Sequence, residues 1–166
     1  MEIRPATLED ARTLWEAEST IAAAPGQLAS RPEELSIASL EARIRAASSG
    51  GCFFVAELDS RLVGHAVLER MSLLAIRHVY RLTLVVHPGQ TRHGFGTALL
   101  QHVQRWAASR LDLHKIELNV RATNTAAIRL YSRLGFREEG LLKHRIRLPT
   151  GEFIDDLLMA WFPTQP

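Results

Sequence analysis

The sequence predicts an α/β fold with a single central sheet, mixed but mostly antiparallel, of about seven strands flanked by four helices. Three observations predict it. Segments in which apolar and polar residues alternate at every second position are interleaved with segments whose apolar residues recur every three or four. These segments follow the order strand, two helices, three strands, helix, strand, helix, two strands. The chain has 166 residues, 46% of them hydrophobic, which suits one compact domain with a sizeable core, so residues 1–166 are read as one domain.

The first strand is Glu2-Ile3-Arg4-Pro5-Ala6, stopped by its proline. Thr7 with an acid three places on, Asp10, marks a helix start, and Leu8, Ala11, Leu14 and Trp15 continue it at helical spacing until Pro25-Gly26. A second helix is expected after Arg31-Pro32, with Leu35, Ile37, Leu40 and Ile44 along it. Past the turn cluster Ser48-Ser49-Gly50-Gly51, residues 53–58 and 61–69 flank Asp59-Ser60 and read as a hairpin, and Val79 to His87 forms the next strand. Residues 94–109 are helical again, through Phe95, Leu99, Leu100, Val103 and Trp106. Lys115 to Arg121 alternates strictly, with Ile116, Leu118 and Val120 on one face and Glu117, Asn119 and Arg121 on the other. Asn124 to Leu134 is a helix stopped by Gly135; a strand from Phe136, a turn at Pro149-Thr150-Gly151 and a last strand from Phe153 to Trp161 complete the chain.

Charge and composition exclude several function classes. Twenty Lys and Arg against eighteen Asp and Glu leave a formal charge of +2, and the one basic cluster, Lys143 to Arg147, is short and interrupted. No nucleic-acid partner is expected. The single cysteine, Cys52, allows neither an internal disulfide nor a cysteine cluster for a metal, and reads as a small buried hydrophobe; no metal is expected. The charged N-terminus is no signal peptide, and no apolar run reaches the roughly 20 residues that cross a bilayer. The expectation is a cytoplasmic protein with no membrane partner.

The most informative stretch runs from Leu84-Val85-Val86-His87-Pro88 through Gly89-Gln90-Thr91-Arg92-His93 into Gly94-Phe95-Gly96-Thr97. A strand enters a loop, and the loop opens a helix at two glycines. Successive backbone N–H groups there have no internal partner and carry the positive end of the helix dipole, which suits a phosphate. Glycines at 94 and 96 would let phosphate oxygens approach without a Cβ clash, with donors from Arg92 and His93. On the residues alone, a tight loop entering an amphipathic helix explains the stretch equally well.

Val86-His87-Pro88 followed by Gly94-Phe95-Gly96-Thr97 resembles the acetyl-CoA loop of GCN5-related N-acetyltransferases (GNAT). Downstream, the run from Asn119 to Phe136, with Asn124, Tyr131 and Gly135-Phe136, is similar to the next strand, Asn-capped helix, tyrosine and exit of that family. The ending Pro149-Thr150-Gly151-Glu152-Phe153-Ile154-Asp155-Asp156 looks like bacterial L-amino-acid and polyamine acetyltransferases. The family's loop commonly begins with Arg or Gln where this chain has Thr91, beside Arg92. In relatives that acetylate ribosomal-protein N-termini, the place five before the asparagine is often glutamate, and here it is Asn119.

The resemblance implies the GNAT fold, acetyl-CoA as co-substrate and a homodimer, for which the apolar final strand Leu157 to Phe162 could offer a surface. Leu84, Val85 and Val86 would bind the pantetheine arm through backbone groups, Val86 N–H polarising the thioester oxygen. Thr91 to Thr97 would hold the phosphates, and Asn124, Ala127 and Tyr131 would share the helix face beside the arm. Acetyl transfer needs a neutral amine, a polarised carbonyl and a proton for the departing thiolate. By residue type alone Tyr131 is first a core aromatic; with the resemblance it is the general acid. Glu117 is read as the best-placed base, against a solvated or paired acid, with His65, His78 and His87 as rivals and a water chain as another route.

The implied acceptor is a primary amine of a small molecule, an amino acid or a polyamine. The alternatives are a protein N-terminus or lysine, and a non-catalytic acyl-CoA-binding module. The acceptor pocket of this fold would draw on the first two helices, the loop Met71 to His78 and the last hairpin. These carry Arg31, Arg43, Arg77 and Arg81 to clamp a carboxylate, and Asp155 and Asp156 to hold a polyamine.

Overall fold

A computed structural model of the chain describes residues 1–163. Its elements are β1 (Glu2–Pro5), α1 (Ala11–Ala22), α2 (Ile37–Ala47), β2 (Cys52–Leu58), β3 (Arg61–Arg70), β4 (Val79–Val86), α3 (Phe95–Ala108), β5 (Lys115–Arg121), α4 (Thr125–Arg133), β6 (Arg137–Arg147) and β7 (Phe153–Trp161). The seven strands form one sheet in the order β1-β2-β3-β4-β5-β7-β6. Every neighbouring pair is antiparallel except β4 with β5.

Helices cover both faces, which explains why β2 reads as an unbroken apolar run. Phe54 and Ala56 face the larger core, built with Leu99, Leu100, Val103 and Ala107 of α3 and Tyr131 of α4. Phe53 and Val55 face a smaller core built with Ala11 and Leu14 of α1 and Leu40 and Ile44 of α2. The β2–β3 hairpin turns through Asp59 and Ser60, both at positive φ (49° and 60°), as a tight turn matched to strand twist requires.

Two helices start later than their sequence signals. Thr7 and Asp10 bracket a 3₁₀ turn, with Thr7 N–H donating to Asp10 Oδ2 at 2.7 Å, and α1 follows at Ala11. Pro32 opens another short 3₁₀ turn, and α2 begins only after Ser36, whose hydroxyl accepts from Ser39 N–H at 3.1 Å. In each case a local side-chain bond sets the boundary ahead of apolar spacing.

The final strand, read as a surface for self-association, is an interior strand. β7 lies between β5 and β6; Met159 and Ala160 are wholly buried, Leu157, Leu158 and Trp161 are half-buried, and Phe162 just beyond the strand is exposed. The edge on that side is β6, which carries the basic cluster Lys143 to Arg147 on a largely exposed strand. Among the described residues, no helix is long and apolar enough to cross a membrane.

Candidate active site

The site begins with a parting of two strands. β4 and β5 pair only from Val79↔Lys115 to Arg81↔Glu117. Beyond that point β4 stays on β3 as far as Gly64↔Val86, while β5 stays on β7 as far as Arg121↔Asp156. The edge of β4 that faces β5 is therefore unpaired over its last residues. His87 N–H bonds Val63 O at 3.0 Å, so the odd-numbered residues of β4 address β3 and the alternate ones, Leu84 and Val86, turn their backbone groups toward the gap.

The loop after β4 leads to α3, whose first residue is preceded by Gly94 at φ 83°. A side chain there would be strained, yet a Cβ would meet no protein atom within 4 Å. Gly96 has a different reason. A Cβ on it would lie 3.2 Å from Leu130 and 3.3 Å from Val86, so its absence lets the start of α3 pack against α4 and β4. α4 is capped by Asn124, whose Oδ1 accepts from Ala127 N–H at 3.1 Å.

Two adjoining cavities fill the gap. The larger, about 760 Å³, is lined by Leu84, Val85, Val86, Thr91, Arg92, Gly94, Phe95, Gly96, Thr97, Asn124, Ala127 and Tyr131, which are the residues read from sequence for the cofactor with the exception of His93. His93 stacks on the Phe95 ring with centroids 5.6 Å apart. The same cavity adds residues that sequence reasoning missed: Ile21, Gln27, Leu28 and Arg133. Arg133 is exposed and its Nη2 donates to Thr97 Oγ1 at 3.1 Å, which puts a guanidinium at the start of α3. An i+9 cation on a helix whose cap was recognised at Asn124 was the available signal.

The second cavity, about 470 Å³, is lined by Glu18, Glu34, Ser39 and Arg43 from the α1–α2 side, Thr83 of β4, and Asn119 and Arg121 of β5. It shares Gln27, Leu28, Leu84, Val85, Asn124, Ala127 and Tyr131 with the first. Tyr131 thus sits where the two meet. Its side chain is buried, burial pushes its phenol well above the usual value, and its hydroxyl bonds no other described residue. A phenol so placed is protonated throughout the physiological range and available as a donor.

Glu117 lies aside from both cavities. Its carboxylate is 3.7 Å from Arg81 and 3.6 Å from Lys115, at the point where the strands still pair. Among the rival bases, His78 is exposed and faces the His114 ring. His65 and His87 are buried and joined to Glu18, a residue that sequence reasoning passed over. Of the arginines read for the acceptor, Arg43 reaches the second cavity, whereas Arg31, Arg77 and Arg81 line neither. Asp156 is taken by Arg121 in a buried ion pair, whereas Asp155 is half-buried and accepts from His144 N–H at 2.7 Å; neither lines the two cavities. Buried Cys52 has its thiol pushed up to about 12 by desolvation, which fits a packing residue. No group of three or more metal-ligating side chains is found among the described residues.

Comparison with known proteins matches this architecture. The profile of the Acetyltransferase (GNAT) family fits residues 10–136. An N-alpha-acetyltransferase of Sulfurisphaera tokodaii is 33% identical over 101 residues, covering 55% of this chain and 60% of the relative. An L-amino acid N-acetyltransferase of Escherichia coli is 30% identical over 106 residues, covering 64% of this chain and 65% of the relative. The chain thus spans about three fifths of the length of the curated relatives it matches. A ribosomal-protein-alanine N-acetyltransferase of Brucella melitensis superposes with a TM-score of 0.89 at 25% identity, covering 98% of this chain and 99% of that one. An acetyltransferase of Salmonella typhimurium, solved with acetyl-CoA, superposes with a TM-score of 0.90 at 21% identity over 100% of this chain and 95% of that one. A profile that runs from the 3₁₀ turn ahead of α1 to the end of α4, and so spans both cavities, makes this chain a member of the GNAT acetyltransferase family.

Proposed function

We propose that the protein, as one catalytic domain over residues 1–166, moves an acetyl group from acetyl-CoA to the primary amine of a small molecule, an amino acid or a polyamine, by direct attack of the amine on the thioester. The observation that carries the reading is Tyr131 at the meeting of two cavities, one entered past the first turn of α3 and the other lined by charged side chains. The first cavity fits the co-substrate. The opening amides of α3, with Arg92 and Arg133 beside them, suit a pyrophosphate, and the space off Gly94 is open for it. The unpaired edge at Leu84 and Val86 suits the amides of a pantetheine arm, which would lie along β4 as an added strand.

In this reading Val86 N–H points at the thioester oxygen and stabilises the charge that develops there, and Tyr131 donates its proton to the departing sulfur. The acceptor enters by the second cavity. The amino-acid substrate of the Escherichia coli relative supports a small acceptor. The Brucella melitensis neighbour, a ribosomal-protein-alanine N-acetyltransferase, favours a peptide N-terminus. A cytoplasmic homodimer belongs to the same reading, and light scattering at twice the 18.6 kDa chain mass is its expected result.

The test is thiol release from acetyl-CoA with a panel of L-methionine, L-phenylalanine, spermidine, tobramycin and an alanine-initiated hexapeptide. Turnover with an amino acid or spermidine supports the proposal; turnover with the peptide alone transfers the acceptor to a protein N-terminus. A protein that binds CoA and turns over no member is an acyl-CoA-binding module.

A further inference from the structure

Glu18 occupies a position that α1 otherwise gives to apolar residues. Ala11, Leu14 and Glu18 stand at i, i+3 and i+7, all buried against the sheet, and Glu18 is 4% exposed. It nevertheless lines the second cavity. Its Oε1 is 2.9 Å from His65 Nε2, His65 Nδ1 is 3.1 Å from His87 Nε2, and His87 Nδ1 is 3.0 Å from Leu62 O. Three side chains from α1, β3 and the end of β4 thus form one hydrogen-bonded row that ends on a backbone carbonyl.

The carbonyl at one end of the row and the carboxylate at the other limit its assignment of donors. A carbonyl can only accept, so His87 Nδ1 carries a hydrogen and donates to Leu62. Burial together with the charge of His65 pushes His87 down to about 4 against that bond, so it is neutral and its Nε2 accepts. His65 Nδ1 must then donate. Between His65 Nε2 and Glu18 Oε1 there must be one further proton, since two lone pairs cannot face each other at 2.9 Å. Burial alone would push Glu18 up, yet the bond and charge of His65, with Arg43 and His87, hold it below the usual carboxylate range. The charged groups packed around the row are Arg43, whose Nη1 is 3.4 Å from Glu18 Oε1, and Glu69, which meets Arg43 Nε at 3.4 Å; the ring of Phe53 covers His65.

We infer that Glu18 is the carboxylate that receives the acceptor's ammonium group in the second cavity and takes its proton, with His65 and His87 as positioning residues. The inference rests on the acetyltransferase reading above. Amines reach the site protonated at neutral pH and cannot attack in that form. The ammonium gives one proton to Glu18, which later passes it to water. The nitrogen lone pair then forms the C–N bond, the C–S bond breaks with its electron pair on sulfur, and Tyr131 protonates that sulfur. The second proton lost from nitrogen restores the phenol through water, so one proton is released per turnover. His65 supports this exchange in either of two arrangements. The proton of the row can stand on His65, or it can move across the 3.1 Å contact to His87 while His65 still donates to Glu18. The second arrangement moves the positive charge one ring away and makes Glu18 the better acceptor.

The experiment measures kcat/KM against pH for wild type and Glu18→Gln, with the panel amine of highest turnover, alongside thermal midpoints. The expected result is a loss of about 10²-fold at pH 7 that narrows above the solution pKa of the amine, where the acceptor arrives already neutral. Wild-type turnover at pH 7 in a folded Glu18→Gln protein, or a loss constant with pH that follows the thermal midpoint, overturns the inference while leaving the acetyltransferase reading intact. A wild type that acetylates no panel member overturns both. Should Glu18→Gln not fold, the ¹⁵N resonances of His65 in wild type decide: they shift on adding the amine and not its isosteric alcohol, and equal responses to both overturn the inference.

Discussion

Arg81 and Glu117 are the last residues that β4 and β5 hold in register, and their side chains meet at 3.7 Å where the strands part. The pair closes one end of the gap, and Lys115 adds a second cation to the carboxylate at 3.6 Å. Because it lines neither cavity, this carboxylate is better placed to secure a fork in the sheet than to take protons from a substrate. Glu117→Gln should therefore keep kcat within about threefold of wild type and change stability by under about 1 kcal/mol, the scale of partly exposed ion pairs. A kcat loss near 10²-fold in a folded variant would return the base to Glu117.

Tyr131→Phe removes a hydroxyl that bonds no other described residue and leaves the ring against Phe136, with centroids 5.6 Å apart. Stability should move by less than about 1 kcal/mol and CoA affinity should hold. Turnover should fall by roughly 10²-fold or more, equally in kcat and kcat/KM. Steady-state rates and a thermal midpoint on one preparation check this, and full activity in the folded variant removes the general-acid role.

Gly94→Asp should cost the unliganded protein about 1 kcal/mol, because φ 83° suits glycine, but should not unfold it, because the new side chain meets no neighbour. The carboxylate would stand where a phosphate is expected. CoA, which should raise the melting temperature of wild type through mass action on the folded state, should leave that of the variant unchanged. An equal shift in both would move the phosphates elsewhere.

Acid should destabilise the fold through His87. The unfolded chain binds a proton at this residue below about pH 6.5, whereas the buried ring refuses it until about 4. The unfolded state thus holds more protons in that window, and stability falls as pH drops from about 6.5 to about 4, by roughly 3 kcal/mol from this group. Glu18 and Asp10, both held below the usual carboxylate range, extend the loss further down. Urea denaturation at pH 7 and pH 5 should show the change for wild type and a smaller one for His87→Gln. Equal slopes would mean that His87 accepts its proton in the folded state.

Much of the fold and of the lining of the first cavity was legible because backbone drives it. Alternation marked Lys115 to Arg121, the capping Asn marked α4, and glycines marked the entry to α3, each by rules that act over a few residues. The lining of the second cavity was not legible for the opposite reason. Glu18 is 47 residues from His65 and 69 from His87, and only the packing of α1 against β3 and β4 joins them. The one local sign was an acid at i+4 from Leu14 on the apolar stripe of α1. Glu117 misled because strand alternation gives the face a side chain occupies but not the place where the neighbouring strand departs. The place of the final strand inside the sheet was hidden in the same way, since apolar residues look alike whether a strand lies at an edge or between two others.

The parting of β4 from β5 has a consequence for how such a protein changes over generations. The groups it offers at Leu84 and Val86 are main-chain amides and carbonyls, which every residue but proline supplies alike. Mutations along this stretch can accumulate without altering the main-chain groups that the strand presents. The cavity around Glu18 and Arg43 is written in side chains, and each substitution there edits the chemistry that the cavity offers. A lineage built on this plan can therefore exchange one amine for another by a few changes on the helices while its acyl donor stays the same.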